Sequence, residues 1–573
     1  MRYGVLAVDY DGTLSEDGHL SDDIRLALDA TREADVTIVL VTGRRLSELR
    51  RVAGDLTFAD AIVGENGAVI TFPASGRSMR LHGPPPPAFQ DELRARGVDS
   101  TTGECVVETT AEAASTVLDV VREQELPLVL AFNRARLMIL PQAVSKATGL
   151  REALSTLRLS THNTLAIGDA ENDHALLEAS EVGAAVRWGS AALARVADLV
   201  VEGRGPADTA KFLRARAADR NLPATNGRRS VLLGHDQQRP LSLAVRDRNV
   251  LVSGDPRSGK SWVAGLLSEQ LMLARYAVAI VDPEGDYRAL EALPGVRIVG
   301  EDRPPGPGEL ERAFRFPDGG LIIDLSHVPY TQKLDSMRAI LPALARLRRV
   351  RGLPHRIVVD EAHYFLRDVD AEVTEDLTHG GYTLVTYRPT DLDDGVMRQI
   401  GVIIATRHTD PREAAALARW ASVDAARLAS VLATLSVSEA VLLPTAEEPG
   451  ADLVRFKVAP RLTAHVRHRH KYADLPVPRP LQFVFSRAPG QPAAASLAGL
   501  AAILEQLVPA ALEHHLRHHD FSRWLSEVFR DEALAHAVRE VERGWISRRH
   551  PDAAGAIVGA IRERYDLKDS PPR

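Results

Sequence analysis

The chain has 573 residues, which at about 150 residues per domain predicts three to four domains. Its 45% hydrophobic and 26% charged residues exclude a disordered, collagen-like or coiled-coil chain. The net charge of −7 argues against a generally basic nucleic-acid-binding protein. Because Cys105 is the one cysteine, an internal disulfide and a cysteine-based zinc site are excluded.

Apolar runs that alternate with helical patterns predict two successive α/β domains and a helical C-terminal segment. The first domain spans residues 1–222 and carries a small inserted α/β unit at about 72–141, introduced by a proline-rich break. The second α/β domain spans 228–458, and a small α-helical module occupies 459–573. A long apolar run and a signal peptide are not apparent, so we expect a cytoplasmic protein that does not bind a membrane.

The first candidate site follows the strand predicted at Val5–Val8. Asp9 and Asp11 are separated by one residue and are followed by a glycine, so both carboxylates can face a bound ligand while the chain turns. A carboxylate that attacks phosphorus needs a cation to suppress charge repulsion. Asp169, after the strand predicted at Thr164–Ile167, supplies a further hard oxygen ligand suited to Mg²⁺.

Two other segments offer groups that suit a phosphate. Thr42 follows the strand predicted at Thr37–Val41 and presents a hydroxyl beside backbone N–H groups. Lys146 offers positive charge for the phosphoryl oxygens. These residue types at strand ends predict phosphoryl transfer in the first domain.

The segments that contain Asp9, Thr42, Lys146 and Asp169 resemble the four motifs of haloacid-dehalogenase-like (HAD) phosphatases, in the same order. The resemblance covers roughly residues 3–215 and implies a HAD-like Rossmannoid fold with a C2-type cap. Sugar-phosphate phosphatases and archaeal-type phosphoglycolate phosphatases have such caps, so the resemblance implies a small phosphorylated substrate.

The same resemblance implies roles for individual residues. Asp9 would be the nucleophile that forms an aspartyl-phosphate, and Asp11 would be the general acid and then the general base. Thr42 and Lys146 would hold the phosphoryl group. The expected metal ligands and their supporting residue are Asp9, the backbone carbonyl of Asp11, Asp169, and Asp173, which would orient Lys146 or support the metal shell.

A second candidate site lies between the strand predicted at Asn249–Val252 and the helix predicted at Trp262–Ala274. Its sequence fits the Walker A pattern, in which a glycine-rich backbone cradles phosphates. Lys260 would reach the β and γ phosphates of ATP, and the Ser261 hydroxyl would ligate Mg²⁺. The predicted nucleotide-binding residues of this loop are Gly254, Asp255, Pro256, Arg257, Ser258, Gly259, Lys260, Ser261 and Trp262.

A strand predicted at Ile357–Val359 is followed by two adjacent acids that would complete this second candidate site. Asp360 would support Mg²⁺ coordination, and Glu361 would polarise the attacking water. The segments around residues 281–287, 383–389 and 403–407 resemble the HerA/FtsK branch of RecA-like ATPases, over about 228–455. That resemblance implies a RecA-like P-loop fold, ATP hydrolysis and assembly into rings.

One residue departs from this second family pattern. Tyr387 stands before Arg388 and Pro389, where such proteins commonly place a glutamine that senses the γ-phosphate. The substitution puts the coupling of nucleotide state to motion in doubt, but it leaves the prediction of nucleotide binding in place. The large N-terminal barrel of HerA is also absent.

The sequence therefore predicts an Mg²⁺-dependent phosphomonoesterase fused to an ATP-binding, ATP-hydrolysing domain, with a homo-oligomer formed through the ATPase domain as a further expectation. One alternative is a nucleic-acid or protein translocase in which the HAD-like domain is a sensor or docking module. The basic run at 465–471 is the segment that could contact nucleic acid. A second alternative is a regulatory protein in which bound ATP orders the phosphatase cap without turnover.

Overall fold

The computed structural model divides into two compact units, residues 1–283 with 287–464, and 284–286 with 465–573. The basic run at 465–471 lies outside the described part of the chain. Among the described residues, none of the helices is both long and apolar enough to cross a membrane. The structure describes residues 2–219, 221–223, 229–244, 246–301, 303–367, 369–444, 452–464, 477, 479–486, 488–529, 531–549 and 551–565.

An eight-stranded sheet organises the N-terminal region. Its strands follow the order β12-β11-β10-β1-β2-β3-β4-β5, and those from β12 to β3 are parallel. The strands are β1 Val5–Asp9, β2 Thr37–Val41, β3 Ala61–Gly64, β4 Val69–Phe72, β5 Arg77–Arg80, β10 Thr164–Gly168, β11 Val182–Val186 and β12 Leu199–Val201. The helices are α1 Asp22–Glu33, α2 Leu46–Ala53, α5 Lys146–Leu157, α6 His174–Ala179, α7 Ala191–Val196 and α8 Pro206–Asp219.

The continuous apolar runs of this sheet are buried because helices cover both of its faces. All five residues of β1, β10 and β11 are buried. The strands predicted at Val5–Val8, Thr37–Val41 and Thr164–Ile167 are confirmed, and β1 and β10 each extend one residue further. The predicted HAD-like α/β architecture of the N-terminal region is thereby in place.

The inserted unit has its own four-stranded antiparallel sheet in the order β6-β7-β9-β8. It begins after Arg80, later than the predicted start near residue 72, because the hairpin of β4 and β5 extends the main sheet. Two helices pack on one another beside this sheet around Phe89 and Val117. The elements are β6 Thr101–Thr102, β7 Val107–Thr110, β8 Leu128–Asn133, β9 Arg136–Pro141, α3 Pro87–Ala95 and α4 Ala114–Glu123.

An 11-stranded sheet follows, in the order β14-β13-β23-β22-β21-β15-β20-β19-β16-β18-β17. The strands from β21 to β17 are parallel, and the others are antiparallel. They are β13 Ser230–Asp236, β14 Arg239–Ala244, β15 Asn249–Ser253, β16 Val278–Asp282, β17 Arg297–Gly300, β18 Gly320–Asp324, β19 Arg356–Val359, β20 Tyr382–Thr386, β21 Ile400–Ala405, β22 Glu439–Leu443 and β23 Val454–Val458. The helices are α9 Lys260–Leu273, α10 Pro307–Ala313, α11 Tyr330–Arg351, α12 Ala371–Leu377, α13 Asp394–Arg398, α14 Pro411–Ala421 and α15 Ala425–Ala433.

The two sheets meet at the amino ends of their strands. His162 lies two residues before β10, and its Nε2 is 2.9 Å from the carbonyl oxygen of Ala274, which ends α9. The imidazole ring of His162 stacks on Tyr276 with 3.6 Å between ring centroids. The phenol of Tyr276 donates a hydrogen bond to buried Glu181, immediately before β11. This junction is polar but buried, and hydrogen bonds from His162 and Tyr276 cross it.

The second unit consists mainly of helices packed around a core that contains Phe485, Phe521 and Trp524. A short hairpin of β24 Phe483–Val484 and β25 Ala493–Ala494 precedes them. In the segment predicted as a small α-helical module, the helices are α16 Leu497–Gln506, α17 Pro509–Arg517, α18 Asp520–Glu527, α19 Glu532–Ile546 and α20 Ala553–Tyr565.

Candidate functional site

Three buried carboxylates converge at the carboxyl edge of the first sheet. Asp9 ends β1, and Asp169 follows the adjacent strand β10. Among the described residues, Asp9, Asp169 and Asp173 form a group whose carboxylate oxygens can lie within 4.8 Å of one another. Three buried hard oxygen donors fit a divalent cation such as Mg²⁺. We call Asp9, Asp169, Asp173 and the adjacent Lys146 the aspartate cluster.

Lys146 links two of these carboxylates. Its Nζ lies 2.5 Å from Asp9 Oδ1 and 2.6 Å from Asp173 Oδ1, and its side chain is 1% exposed. Lys146 is the first residue of α5, where the helix dipole disfavours a cation. The two carboxylates offset the unfavourable effect of the helix dipole on the lysine charge. A buried ion pair thus joins Asp9 to Lys146, which is 137 residues away in the sequence.

Asp173 positions its neighbours as well as Lys146. Its Oδ2 accepts hydrogen bonds from the backbone N–H groups of Asp169, at 3.0 Å, and Ala170, at 3.1 Å. One carboxylate oxygen therefore holds the lysine while the other orders the loop that carries Asp169. Gly168 leaves room for this arrangement, because an added Cβ would lie 2.5 Å from the carboxyl carbon of Asp173.

Burial and mutual repulsion shape the protonation of the cluster. Burial raises the pKa of Asp9 well above its usual value, and Lys146 opposes this increase. Burial, followed by repulsion from Asp173, raises the pKa of Asp169 to about 6. Burial would lower the pKa of Lys146, but Asp173 and Asp9 more than offset it, so the pKa is raised. Negative charge concentrated in this way favours binding of a cation.

Thr42 and Asp11, the other residues predicted for this site, lie beside the cluster; Thr42 is buried and Asp11 is partly exposed. Thr42 follows β2 and is buried; its hydroxyl oxygen accepts from the N–H of Arg44 at 3.1 Å, and its own N–H donates to Val63. The carboxylate of Asp11 accepts two hydrogen bonds from the guanidinium of Arg44, at 2.7 and 2.6 Å. Asp11 thus lies at the mouth of the site, with its side chain 38% exposed.

Side chains of the inserted unit reach this site, although the sequence did not identify them. The guanidinium of Arg134, in the turn between β8 and β9, pairs with the Asp169 carboxylate. Gly12 makes room for this contact, because an added Cβ would lie 2.3 Å from Asp169 Oδ2. A narrow cleft between the inserted unit and the main sheet is lined by Asp11, Gly43, Arg44, Glu108, Asn133, Arg136 and Met138.

Glu65 anchors the inserted unit to the main sheet. Its buried carboxylate accepts backbone N–H hydrogen bonds from Glu104 and Cys105, each at 2.8 Å, and from Val106 at 3.2 Å. Glu65 and Asn66 have positive φ angles of 49° and 56° in a turn between β3 and β4. The neighbouring asparagine and glycines signal a turn in the sequence, but they do not reveal which backbone groups the carboxylate binds.

The glycine-rich loop at 254–261 lies at the carboxyl edge of the second sheet, between β15 and α9. Gly259 has a φ of 104°, which glycine adopts without strain. Gly254 allows a close approach, because an added Cβ would lie 1.8 Å from the hydroxyl oxygen of Thr406. The hydroxyls of Ser258 and Thr406 are 2.5 Å apart.

Lys260 and Asp255 have partners within or beside this loop. The ammonium of Lys260 donates to the backbone carbonyl of Asp255 at 3.0 Å. The carboxylate of Asp255 accepts from the N–H and hydroxyl of Thr409, at 2.9 and 2.8 Å. Trp262, one of the predicted nucleotide-binding residues, donates its indole N–H to the carbonyl of Ala459 at 3.1 Å.

The two acids predicted for the second candidate site lie at the end of β19, two strands from β15 in the sheet. Asp360 and Glu361 are buried, and Asp360 Oδ1 accepts from the N–H of Glu361 at 3.0 Å. Tyr387 follows the intervening strand β20, and the centroid of its ring is 6.0 Å from Lys260 Nζ. The structure therefore brings the loop, the acids and Tyr387 to one edge of the sheet.

Comparisons with known proteins concern the N-terminal region. A family model for haloacid dehalogenase-like hydrolases matches residues 6–82 and 90–204. A phosphoglycolate phosphatase from Natronomonas pharaonis is 31% identical over 209 residues, covering 34% of this chain and 90% of the relative. The phosphoglycolate phosphatase of Methanosarcina acetivorans is 25% identical over 228 residues, covering 37% of this chain and 97% of the relative.

Solved structures are similar over the same share of the chain. A haloacid dehalogenase-like hydrolase from Bacteroides thetaiotaomicron has 19% identity and a TM-score of 0.33, and the match covers 37% of this chain and 99% of that one. The relative from Natronomonas pharaonis is 31% identical and is covered over 90% of its length, in the region that the family model also matches. Through its N-terminal region, this chain belongs to the haloacid dehalogenase-like hydrolases.

Proposed function

We propose that the N-terminal region is an Mg²⁺-dependent phosphomonoesterase that acts on a small phosphorylated metabolite through an aspartyl-phosphate. The observation that carries this proposal is the buried contact of Lys146 with both Asp9 and Asp173, next to Asp169. A lysine at this place can bind phosphoryl oxygens while it keeps the Asp9 carboxylate oriented. The phosphoglycolate phosphatases among the relatives support a substrate of this class.

In the first step, a carboxylate oxygen of Asp9 forms a bond to phosphorus while the bond from phosphorus to the leaving alcohol breaks. Asp11 gives its proton to the departing oxygen. In the second step, Asp11 takes a proton from water, which attacks phosphorus and releases phosphate and the Asp9 carboxylate. Arg44 holds the Asp11 carboxylate by two hydrogen bonds at the mouth of the site.

The remaining residues bind and shield the reacting group. Lys146 and Thr42 would hold the phosphoryl oxygens, and Asp173 keeps Lys146 in place. Asp9, Asp169 and the backbone carbonyl of Asp11 would hold Mg²⁺, with Asp173 in support; the bound ion would reduce the repulsion between the carboxylate and the phosphate. The inserted unit borders the cleft through which the leaving group would extend.

Release of inorganic phosphate from a panel of phosphomonoesters tests this proposal. The panel includes phosphoglycolate and hexose phosphates, with and without Mg²⁺ and ATP. Asp9→Asn is the blank, and Asp17→Asn, at an exposed position in the following loop, is its matched control. Release that requires Mg²⁺ and disappears only in Asp9→Asn would support the proposal, and no release from any compound would refute it.

A second activity is proposed for the region that contains the glycine-rich loop. The loop's place between β15 and α9, with Asp360 and Glu361 at the end of β19, supports binding and hydrolysis of ATP by a RecA-like P-loop domain. Lys260 and Ser261 would contact the phosphates and Mg²⁺, and Glu361 would polarise water. ATP hydrolysis that is lost in Lys260→Ala would support this assignment.

The competing proposal for this region is a nucleic-acid or protein translocase that forms a ring. It requires ATP hydrolysis that DNA or a protein substrate stimulates, together with a homo-oligomer in solution. Tyr387 is the observation that bears on the choice, because its ring lies near Lys260. If the tyrosine limits turnover, Tyr387→Gln will raise the rate of ATP hydrolysis, whereas Tyr387→Phe will leave it unchanged.

A further inference from the structure

A cavity of about 570 Å³ lies at the junction of the two sheets, and nothing proposed above uses it. Tyr276 and His355, which line it, precede the amino ends of β16 and β19. Both candidate phosphate sites lie at the opposite, carboxyl ends of their strands. The cavity is therefore separate from the aspartate cluster and from the glycine-rich loop, and its volume is in the range that small-molecule sites occupy.

Two buried guanidinium groups, those of Arg348 and Arg356, lie in the wall of this cavity. Arg356 is 4% exposed and donates to the carbonyl oxygens of Tyr382, at 2.7 Å, and Arg248, at 2.9 Å. Arg348 is 9% exposed and pairs with Asp376 at 3.2 Å. Burial, followed by the nearby charge of Arg348, lowers the pKa of Arg356 to about 9. Asp376 offsets the charge of Arg348, whereas burial disfavours the charged form of Arg356, which a nearby anion would stabilise.

Nη1 of Arg348 supplies an additional donor. It is buried and has no hydrogen-bond partner in the part of the chain that the structure describes. A buried donor without a partner costs free energy, which a ligand with a matching acceptor would recover. Guanidinium groups match the planar oxygens of carboxylates, sulfonates and phosphates.

The rest of the lining is partly apolar and aromatic and partly acidic. Its carboxylates each pair with an arginine: Asp219, Asp247, Glu372, Glu375 and Asp376. Val231, Leu271, Ala345 and Pro354 line the cavity beside the ring of Tyr276. Such walls would bind the carbon skeleton of a ligand, while the arginines would bind its charged end. An inorganic ion alone would leave these walls without contact.

We propose that the junction cavity binds a small organic anion that has an apolar or aromatic body and one acidic group. Its residues come from both α/β regions, including Arg2 and Asn221 from the first and Arg348 and Arg356 from the second. A ligand in this cavity contacts both regions and therefore stabilises their junction.

The test uses 8-anilinonaphthalene-1-sulfonate, whose aromatic body carries one sulfonate, with the full chain in fluorescence titrations. N-Phenyl-1-naphthylamine has the same aromatic body without the acidic group and is the matched probe. We expect saturable binding of one sulfonate probe per chain, with an affinity at least about tenfold higher than that of the uncharged probe. Equal affinities, or no saturable binding of the sulfonate probe, would overturn the proposal.

Three variants locate the bound probe. Arg356→Gln removes a guanidinium and should weaken binding of the sulfonate probe at least about tenfold. Ala345→Leu adds volume inside the cavity and should abolish binding without removing charge. Arg338→Gln, on an exposed position of the same helix α11 and away from the cavity lining, is the control and should bind as the wild type does.

The cavity-filling variant decides the outcome if Arg356→Gln fails to fold. Thermal unfolding of each variant without probe checks folding first. Binding to folded Ala345→Leu with wild-type affinity would place the probe elsewhere and refute the proposal. Phosphate release and ATP hydrolysis have no part in this test, so its result is independent of both proposed activities.

Discussion

Asp9 and Lys260 occupy equivalent places, each at the carboxyl edge of a mainly parallel sheet, but their surroundings differ. At the aspartate cluster, Lys146 and Asp173 are buried at 1% and 0% side-chain exposure, and their contact joins distant parts of the chain. At the glycine-rich loop, Lys260 contacts the backbone of Asp255, five residues away. We therefore expect that substitutions in the first site lower both activity and the free energy of unfolding. In the second site, we expect a substitution to lower activity without lowering the free energy of unfolding.

The largest effect is expected at the aspartate cluster itself. Lys146→Ala leaves the carboxylates of Asp9 and Asp173 buried without their cation, which should lower the free energy of unfolding by about 3–5 kcal/mol and abolish phosphate release. Lys211→Ala, at an exposed pair with Asp208, is the control. Urea unfolding and phosphate release are measured on both variants. A stable Lys146→Ala protein with wild-type activity would contradict this reading of the cluster.

Lys260→Ala separates chemistry from stability at the second site. Without nucleotide, we expect the variant and the wild type to have the same urea midpoint of unfolding, because the loop forms through its backbone. With ATP and Mg²⁺ at about 100 times the dissociation constant, the wild type should gain about 2.7 kcal/mol, and the variant should gain nothing. Phosphate release from phosphomonoesters should be unchanged. A nucleotide-dependent gain in the variant would place ATP elsewhere.

Glu65→Gln tests how the inserted unit is held over the first site. Replacing the carboxylate by an amide weakens three backbone hydrogen bonds, at an expected cost of about 1–3 kcal/mol. Hydrogen exchange of the amides of Glu104, Cys105 and Val106 should accelerate, and the KM of the phosphatase should rise. Glu104→Gln, at an exposed side chain, is the control. Unchanged exchange would show that other contacts hold the unit.

The smallest effect is expected at the junction of the two sheets. Burial, followed by the charges of His162 and Arg348, lowers the pKa of His355 well below its usual value. Its ring accepts from Ala277 N–H at 2.8 Å and lies 3.2 Å from Asn163 Oδ1. Because unfolding restores a pKa near 6.5, the stability from neutral His355 is present above about pH 6.5 and is lost as the pH falls below it.

Urea unfolding at pH 7.5 and 5.5 measures this contribution. The wild type should lose about 1 kcal/mol more than His355→Gln does between the two pH values. The comparison of the two proteins cancels other groups that titrate in the same range. Equal losses would show that His355 is protonated at no cost in the folded state.

Much of the first site could be predicted from the sequence. Apolar runs that end in Asp9, Thr42 and Asp169 predict parallel strands, and such strands place their carboxyl ends on one edge. The glycine-rich loop was recognisable for the same reason, since it follows a strand and precedes a helix. Arg134 and Glu65 could not be assigned, because their partners depend on how the inserted unit docks on the main sheet. The pairing of Arg44 with Asp11 depends on how the loops after β1 and β2 approach each other.

The sequence by itself determined the strand ends and the order of acidic, hydroxyl and lysine side chains along the chain, because local periodicity and turn residues set both. Only the tertiary structure decided that Lys146 lies between Asp9 and Asp173, that Arg134 reaches Asp169, and that the sheets meet at their amino ends. These contacts join residues far apart in sequence and depend on packing and burial of charge. The junction cavity belongs to the same class, because its walls come from segments that no local pattern connects.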